Sequence, residues 1–110
     1  TAGIAEMLMQ SHLGELHLLP ALPAQWADGK VSGLRGQGDV TVSMAWQNNT
    51  LQRASIVTGK DTVVRLRNPA LGGKVRVTSN SNVLDYQQIE EGVISFISKA
   101  NQEYVVLVGY

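Results

Sequence analysis

The chain has 110 residues, in which nine Lys or Arg balance nine Asp or Glu, and a hydrophobic fraction of 44%. This length suits one domain with its own core and is too short for two. The balanced charge argues against a dedicated nucleic-acid binder, and no apolar run approaches the roughly 20 residues of a membrane-spanning helix. Because cysteine is absent, disulfides, catalytic thiols and thiolate metal sites are excluded.

The first residues carry a helical pattern. Ile4, Met7 and Leu8 have the i, i+3, i+4 spacing of one helical face, and Gly14 is placed to end the helix. The sequence therefore predicts a helix over Thr1–His12, in a segment of residues 1–13. So short a helix needs a packing partner. The chain also starts without an initiator Met or a signal-like segment, so we expect it to be a piece of a longer protein.

Residues 14–30 read as an extended connector. Leu16–Leu19 alternates like a short strand, with His17 on its polar side. Pro20 and Pro23 then interrupt any helix or sheet ladder, and residues 26–29 have the composition of a turn.

From Val31 onward β-branched residues dominate, with thirteen Val, four Ile and five Thr, which favours strands. Alternation and turn residues predict strands at Val40–Trp46, Leu51–Val57, Thr62–Arg67, Lys74–Thr78, Val93–Ser98 and Glu103–Val108. Residues 47–50 are expected to form a hairpin loop. Such spacing is typical of all-β folds. We predict an antiparallel β-sandwich of about seven to eight strands over residues 31–110, with a short N-terminal helix.

Charge is distributed unevenly along the chain. Between Leu51 and Asn80 there are six basic residues and one acidic residue, Asp61, which gives this segment a net charge of plus five. Arg65 and Arg67 share one strand face, opposite Val64 and Leu66. This pattern fits a solvated sheet face or docking of an acidic neighbouring domain. Nucleic acid is a weaker third reading, because no aromatic residue is interleaved for stacking.

Residues that could support catalysis or metal binding do not form a recognisable site. His12 and His17 alone make a poor metal site. Glu90 and Glu91 are adjacent, so in an extended chain they point to opposite faces rather than flanking a glycosidic bond. Asp28 and Asp39 each stand beside a glycine, as in turns, and the glycines at 33, 36 and 38 fit bulges or turns and no nucleotide-binding motif. We therefore assign no catalytic, cofactor-binding or metal residue.

The chain has six aromatic residues. Trp46, Phe96 and Tyr104 fall on apolar strand faces and are expected in the core. Trp26, near Pro23 and Gly29, and Tyr86 are the candidates for an exposed glycan contact.

Two segments near the N-terminus resemble one enzyme family. The runs TAGIAEMLMQSH (1–12) and GELHLLPALP (14–23), with Trp26, Gly29, Gly-Leu-Arg at 33–35, Val42 and Trp46, resemble the C-terminal region of glycoside hydrolase family ninety-five, which contains α-L-fucosidases and related α-L-galactosidases. Residues 36–39 depart from the usual Ala-Arg-Gly-Gly, and the similarity fades beyond Leu51.

The resemblance implies an (α/α)6 catalytic barrel upstream, whose last helix would be residues 1–13, and a β-sandwich that closes the chain. Members of the family hydrolyse with inversion, through a glutamic acid and an aspartate assisted by asparagines, all upstream of Thr1. The chain would then be a non-catalytic accessory domain of a periplasmic or secreted enzyme, with Gln10, Ser11 and His12 on the barrel side.

Two alternatives stay open. The first is a carbohydrate-binding module that recognises glycans through Trp26 or Tyr86. The second is a homodimer of the fragment formed through its exposed helix. Neither alternative needs a cofactor, nucleic acid or membrane.

Overall fold

The computed structural model describes residues 9–12, 15–18, 27–36 and 39–109, and of residues 9–12 it describes the backbone alone. The strands in this part of the chain are β1 (Met9–His12), β2 (Glu15–Leu18), β3 (Gly29–Gly36), β4 (Val40–Gln47), β5 (Thr50–Thr58), β6 (Thr62–Arg67), β7 (Val75–Ser79), β8 (Asn82–Leu84), β9 (Gln87–Glu90), β10 (Val93–Ser98) and β11 (Glu103–Val108). A 3-10 turn, Pro69–Gly72, connects β6 to β7.

These strands form two sheets. Sheet A has the order β1-β2-β6-β10-β9 and sheet B the order β3-β4-β5-β11-β7-β8. Neighbouring strands are antiparallel, except that β2 runs parallel to β6. The all-β architecture is confirmed, and the paired sheets fit a β-sandwich.

One hydrophobic core lies between the sheets. It combines sheet A residues such as Leu18 and Leu66 with sheet B residues such as Val42 and Ile56. Trp46, Phe96 and Tyr104 are buried in it, as their strand pattern predicts. The rings of Phe96 on β10 and Tyr104 on β11 lie 5.4 Å apart between centroids, so this aromatic pair joins the two sheets.

Strand-forming residues bounded by turn residues predicted three strands accurately. The predicted bounds of β6, β10 and β11 are those of the structure. The loop between β4 and β5 is a tight turn in which Asn48 and Asn49 have φ of 53° and 58°, the conformation that asparagine tolerates and that suits a type I′ hairpin.

The predicted N-terminal helix is wrong for Met9–His12, which pairs antiparallel with β2. The helical spacing comes from Ile4, Met7 and Leu8, and residues 1–8 and 13 lie outside the described residues. Only two residues separate β1 from β2, so the sheet ladder satisfies the backbone groups of both strands locally. Pairing thereby overrides the helix propensity of Met9 and Gln10. The Pro20–Pro23 connector also lies outside the described part.

The described residues contain eleven strands rather than seven or eight, and β2–β6 departs from the antiparallel expectation. The longest strand that the sequence pattern did not predict is β3, because its glycines interrupt the strand pattern. A Cβ at Gly29 would come within 2.7 Å of the Trp46 ring, so glycine allows the indole to pack over the strand. Gly33 has φ of +76° and lies at a register shift against β4, which confirms the predicted bulge glycine.

Asn68 connects β2 to the sandwich. Its side-chain Nδ2 donates a 2.8 Å hydrogen bond to the carbonyl of Leu18, and its Oδ1 accepts from the amide of Ala70 at the start of the 3-10 turn. No helix within the described ranges has the length and apolarity needed to cross a membrane.

Candidate functional site

The outer face of sheet A carries an ion-pair network centred on Arg67. The guanidinium Nε of this β6 residue donates to Glu15 Oε1 on β2, and its Nη2 donates to Glu90 Oε1 on β9 at 2.9 Å. Arg67 thus links three strands of the sheet. The predicted sharing of one face by Arg65 and Arg67, opposite buried Val64 and Leu66, is confirmed.

The network shifts the pKa values of Glu15 and Arg67. The hydrogen bond from Arg67 lowers the pKa of Glu15 against an opposing effect of burial, and the charges of Arg67, Arg65 and His17 lower it further. The hydrogen bonds to Glu15 and Glu90 raise the pKa of Arg67. A general acid needs a raised carboxyl pKa, so Glu15 is suited to ion pairing and not to proton donation.

Val93 lies beneath this network. It is the register partner of Arg67 on one side and of Glu90 on the other. Its side chain is 1% exposed, yet it does not belong to the core between the sheets. The aliphatic stem of an arginine can cover apolar surface, so we infer that the Arg67–Glu90 pair shields Val93 from water.

The opposite end of this face is apolar and exposed. Val63 on β6 and Ile97 on β10 are register partners, with 58% and 67% of their surfaces exposed. Outer-face residues therefore change from charged at Arg67 to apolar at Val63 within one strand. Because exposed apolar patches mark interaction sites, this end of the face is a candidate interaction surface.

A groove of about 480 Å³ adjoins this apolar end. Val63 and Ile97 form one side of it, and Leu84, Tyr86 and Gln87 also line it. Tyr86 is half-buried against the core, and its hydroxyl donates to the carbonyl of Val75 at 3.3 Å. The lining thus combines apolar side chains and a partly exposed aromatic ring with the polar residues Asp85, Gln87 and Ser95.

The other predicted site residues are distributed as follows. Gln10, Ser11 and His12 lie in β1, the outermost strand of sheet A, where Gln10 is opposite His17 and His12 is opposite Glu15. Tyr86 lies between β8 and β9, and β9 is at the opposite edge of sheet A from β1. Trp26 lies outside the described residues.

The acidic residues that could have supplied a catalytic pair lie in turns or ion pairs. Asp28 Oδ1 accepts from the amide of Asn48 at 2.9 Å, and Asp39 has φ of 61° in the turn before β4. Glu90 belongs to the Arg67 network, whereas Glu91 is exposed in the turn at Gly92. Within the described ranges, no group of three His, Asp or Glu side chains is placed to hold a metal.

The sequence contained a usable signal for one part of this face. Val63 lies two and four residues before Arg65 and Arg67, so the strand pattern places it on the same outward face. The partner of Arg67 could not be read from the pattern, because Glu15 is 52 residues away and reaches it through the parallel pairing of β2 with β6.

The sequence matches one family model, described as glycoside hydrolase family 95, C-terminal domain, over residues 10–106. It is similar to Alpha-L-fucosidase 2 of Arabidopsis thaliana, 55% identical over 51 residues, and to Probable alpha-fucosidase A of Aspergillus oryzae, 41% identical over 49 residues. These alignments cover 46% and 44% of this chain but only 6% and 7% of the two relatives.

Proposed function

The chain belongs to glycoside hydrolase family 95 as its C-terminal domain, and we propose that it is a non-catalytic accessory domain of a secreted or periplasmic fucosidase-like enzyme. In this proposal the parent enzyme hydrolyses α-L-fucosyl or related bonds with inversion. The domain packs against the helical catalytic barrel of that enzyme and stabilises it. The fucosidase names of two relatives support the substrate class.

The observation that carries the packing proposal is the Val63–Ile97 pair. Complete burial of an aliphatic side chain contributes about 1.5–3 kcal/mol, and these two are more than half exposed. They lie next to a groove that a neighbouring element can fill. A barrel covering this end of sheet A would remove the patch from water.

The position of β1 is consistent with this arrangement. β1 is the outermost strand of the same sheet, and its register places His12, opposite Glu15, nearer the Val63 end of the sheet than Met9, which is opposite Leu18. Gln10, Ser11 and His12 are therefore the residues that we place nearest the barrel.

The non-catalytic role is supported by what the acidic residues do. Inverting hydrolysis requires a carboxylic acid and a base about 6.5–9.5 Å apart across an open site. Glu15 and Glu90 instead bind the same guanidinium, and Glu103 accepts a hydrogen bond from Ser55. We expect the 110-residue chain to release no nitrophenol from 4-nitrophenyl α-L-fucoside, and measurable turnover would overturn this assignment.

The packing role is tested in the complete enzyme. The double substitution Val63→Asp/Ile97→Asp should lower its thermal midpoint and its fucosidase activity, because charges would be buried at the contact. Val83→Asp is the matched control, since Val83 on β8 is 68% exposed in sheet B. Equal behaviour of the two variants would show that the contact lies elsewhere.

A second candidate is glycan binding in the Tyr86 groove, favoured by the exposed part of the Tyr86 ring beside Gln87. Sugars bind by stacking on such a ring and by hydrogen bonds to side-chain amides. Titration of the ¹⁵N-labelled chain with 2′-fucosyllactose should then shift the amides of residues 84–87. Unchanged amides there would leave packing as the role of this groove.

A further inference from the structure

The outer face of sheet B has a different character from that of sheet A. A row of small or medium side chains crosses it, joined by register from Ser43 to Ser55, Val105 and Thr78. All four are half-buried and alternate with core residues along their strands. This row forms a floor that crosses β4, β5, β11 and β7 at right angles to the strands.

Longer charged side chains border the floor on both sides. Arg53 and Lys30 lie on one side, where each is a register partner of Ala45. Glu103 lies on the other side. Two hollows of about 500 Å³ and about 430 Å³ lie along the row, and Arg53 and Glu103 line both of them. The two hollows thus lie end to end along the row and share Arg53 and Glu103, and we call them together the sheet B groove.

The sheet B groove presents both donors and acceptors of hydrogen bonds. Ser55 Oγ donates to Glu103 Oε2 at 2.6 Å, which holds the carboxylate at the edge while leaving its other oxygen able to accept. Arg53 and Lys30 supply donors. At the β3 end, the amide of Gly33 is 3.4 Å from Ser43 Oγ, and a Cβ on Gly33 would meet nothing within 4 Å, so this end is open.

This arrangement favours a neutral, hydroxyl-rich ligand. Hydroxyl groups both donate and accept, so they can use guanidinium, carboxylate and serine groups together, whereas an anion would face Glu103 and a cation would face Arg53 and Lys30. The five strands from β3 to β7 span about 19 Å at the usual strand spacing, which accommodates several sugar rings in a row.

We propose that the sheet B groove binds a neutral, unbranched oligosaccharide lying across the strands. The choice of a saccharide rests on the proposed function, whereas the location rests on the groove itself. Of the described residues lining the groove, none is aromatic, so the ligand is held by hydrogen bonds without ring stacking. We expect a Kd on the order of 1 mM.

The test is a ¹H–¹⁵N titration of the 110-residue chain with cellohexaose, with an acidic galacturonate hexamer as the second arm. Cellohexaose should give saturable shifts at the amides of Ser43, Ser55 and Val105, and the acidic hexamer should bind more weakly. Arg53→Ala and Glu103→Ala should each weaken cellohexaose binding about tenfold, the loss expected for a charge-assisted hydrogen bond. Lys60→Ala and Glu91→Ala, at exposed sites that do not line the groove, are the matched controls.

Three outcomes would overturn the proposal. These are the absence of saturable shifts, shifts confined to residues 84–87, and equal effects of the groove and control variants. A preference for the acidic hexamer would contradict the neutral ligand class. Hydrolysis of 4-nitrophenyl α-L-fucoside by the complete enzyme tests the proposed function separately, because that substrate is too short to occupy the groove.

Discussion

Arg67 holds Glu15 by a charged hydrogen bond across 52 residues of sequence, between parallel strands β6 and β2. The parallel ladder is short, with three register pairs from Glu15–Arg65 to His17–Arg67. This contact, together with the hydrogen bond from Asn68 to Leu18, joins the first described segments to the sandwich. The attachment of β2, and of β1 beyond it, therefore depends on a few polar contacts as well as on buried Leu16 and Leu18.

Arg67→Ala should lower the urea midpoint of unfolding more than Arg65→Ala does. Removal of Arg67 leaves Glu15 and Glu90 without their shared partner and exposes Val93, whereas Arg65 lies on the same face of β6 with greater exposure. Urea titration of both variants measures the difference. Equal midpoints would mean that the network does not contribute to stability.

Acid should weaken this attachment through Glu15. The hydrogen bond from Arg67 lowers the pKa of Glu15 below its ordinary value of 4.5, so the folded chain binds this proton less readily than the unfolded chain. The resulting stabilisation is complete above the unfolded pKa and is lost as pH falls through the lowered, folded-state pKa. Below about pH 4.5 the free energy of unfolding should therefore fall more steeply in the wild type than in Glu15→Gln. Parallel pH profiles would contradict this assignment.

Asn68→Ala should destabilise the fold by about 2–4 kcal/mol. It removes the donor to Leu18 O, where a buried group left unpaired costs about 1–3 kcal/mol, and the cap of the 3-10 turn, worth about 1 kcal/mol. Asn82→Ala, at an exposed position of β8, should change stability by less than about 0.5 kcal/mol. Chemical denaturation measures both, and a loss at Asn68 no larger than that at Asn82 would rule out the structural role.

Thr58 and Ser98 form a buried hydroxyl pair with an oxygen separation of 2.6 Å. Thr58 has a single hydroxyl hydrogen and donates it to Lys60 O at 2.9 Å, so Ser98 must donate to Thr58. Thr58→Val should then cost more than Ser98→Ala, because it leaves both Lys60 O and Ser98 Oγ unpaired. The cost of the double variant should be smaller than the sum of the two single costs. Additive costs in a double-mutant cycle would show that the pair is uncoupled.

The strands that could be predicted are those with one buried and one exposed face. In β6 and β11 the alternation is regular and turn residues mark both ends, so the pattern sets the bounds. β3 was not predicted because its glycines interrupt the alternation of apolar residues. Gly29 makes room for the Trp46 ring and Gly33 forms a bulge, and neither role requires a hydrophobic side chain. β8 and β9, of three and four residues, are too short to show a period.

The candidate site was predictable to a similar degree. The shared face of Arg65 and Arg67 followed from alternation. Their partner Glu15 did not, because the parallel pairing of β2 with β6 joins residues 50 positions apart, which no local pattern encodes. The sheet B groove likewise depends on the register of four strands. The small residues that form its floor, Ser43 and Ser55, look like ordinary solvent-facing positions in the sequence.

Cysteine labelling at Val63 in the complete enzyme tests the central claim most directly. This chain has no cysteine, so Val63→Cys and the control Val83→Cys each introduce a thiol that peptide mapping can follow. If the apolar end of sheet A packs against the catalytic barrel, maleimide should label position 63 much more slowly than position 83 in the complete enzyme, and both rapidly in the 110-residue chain. Rapid labelling of position 63 in the complete enzyme would contradict the account, and concentration-dependent protection in the 110-residue chain would assign the face to a second copy instead.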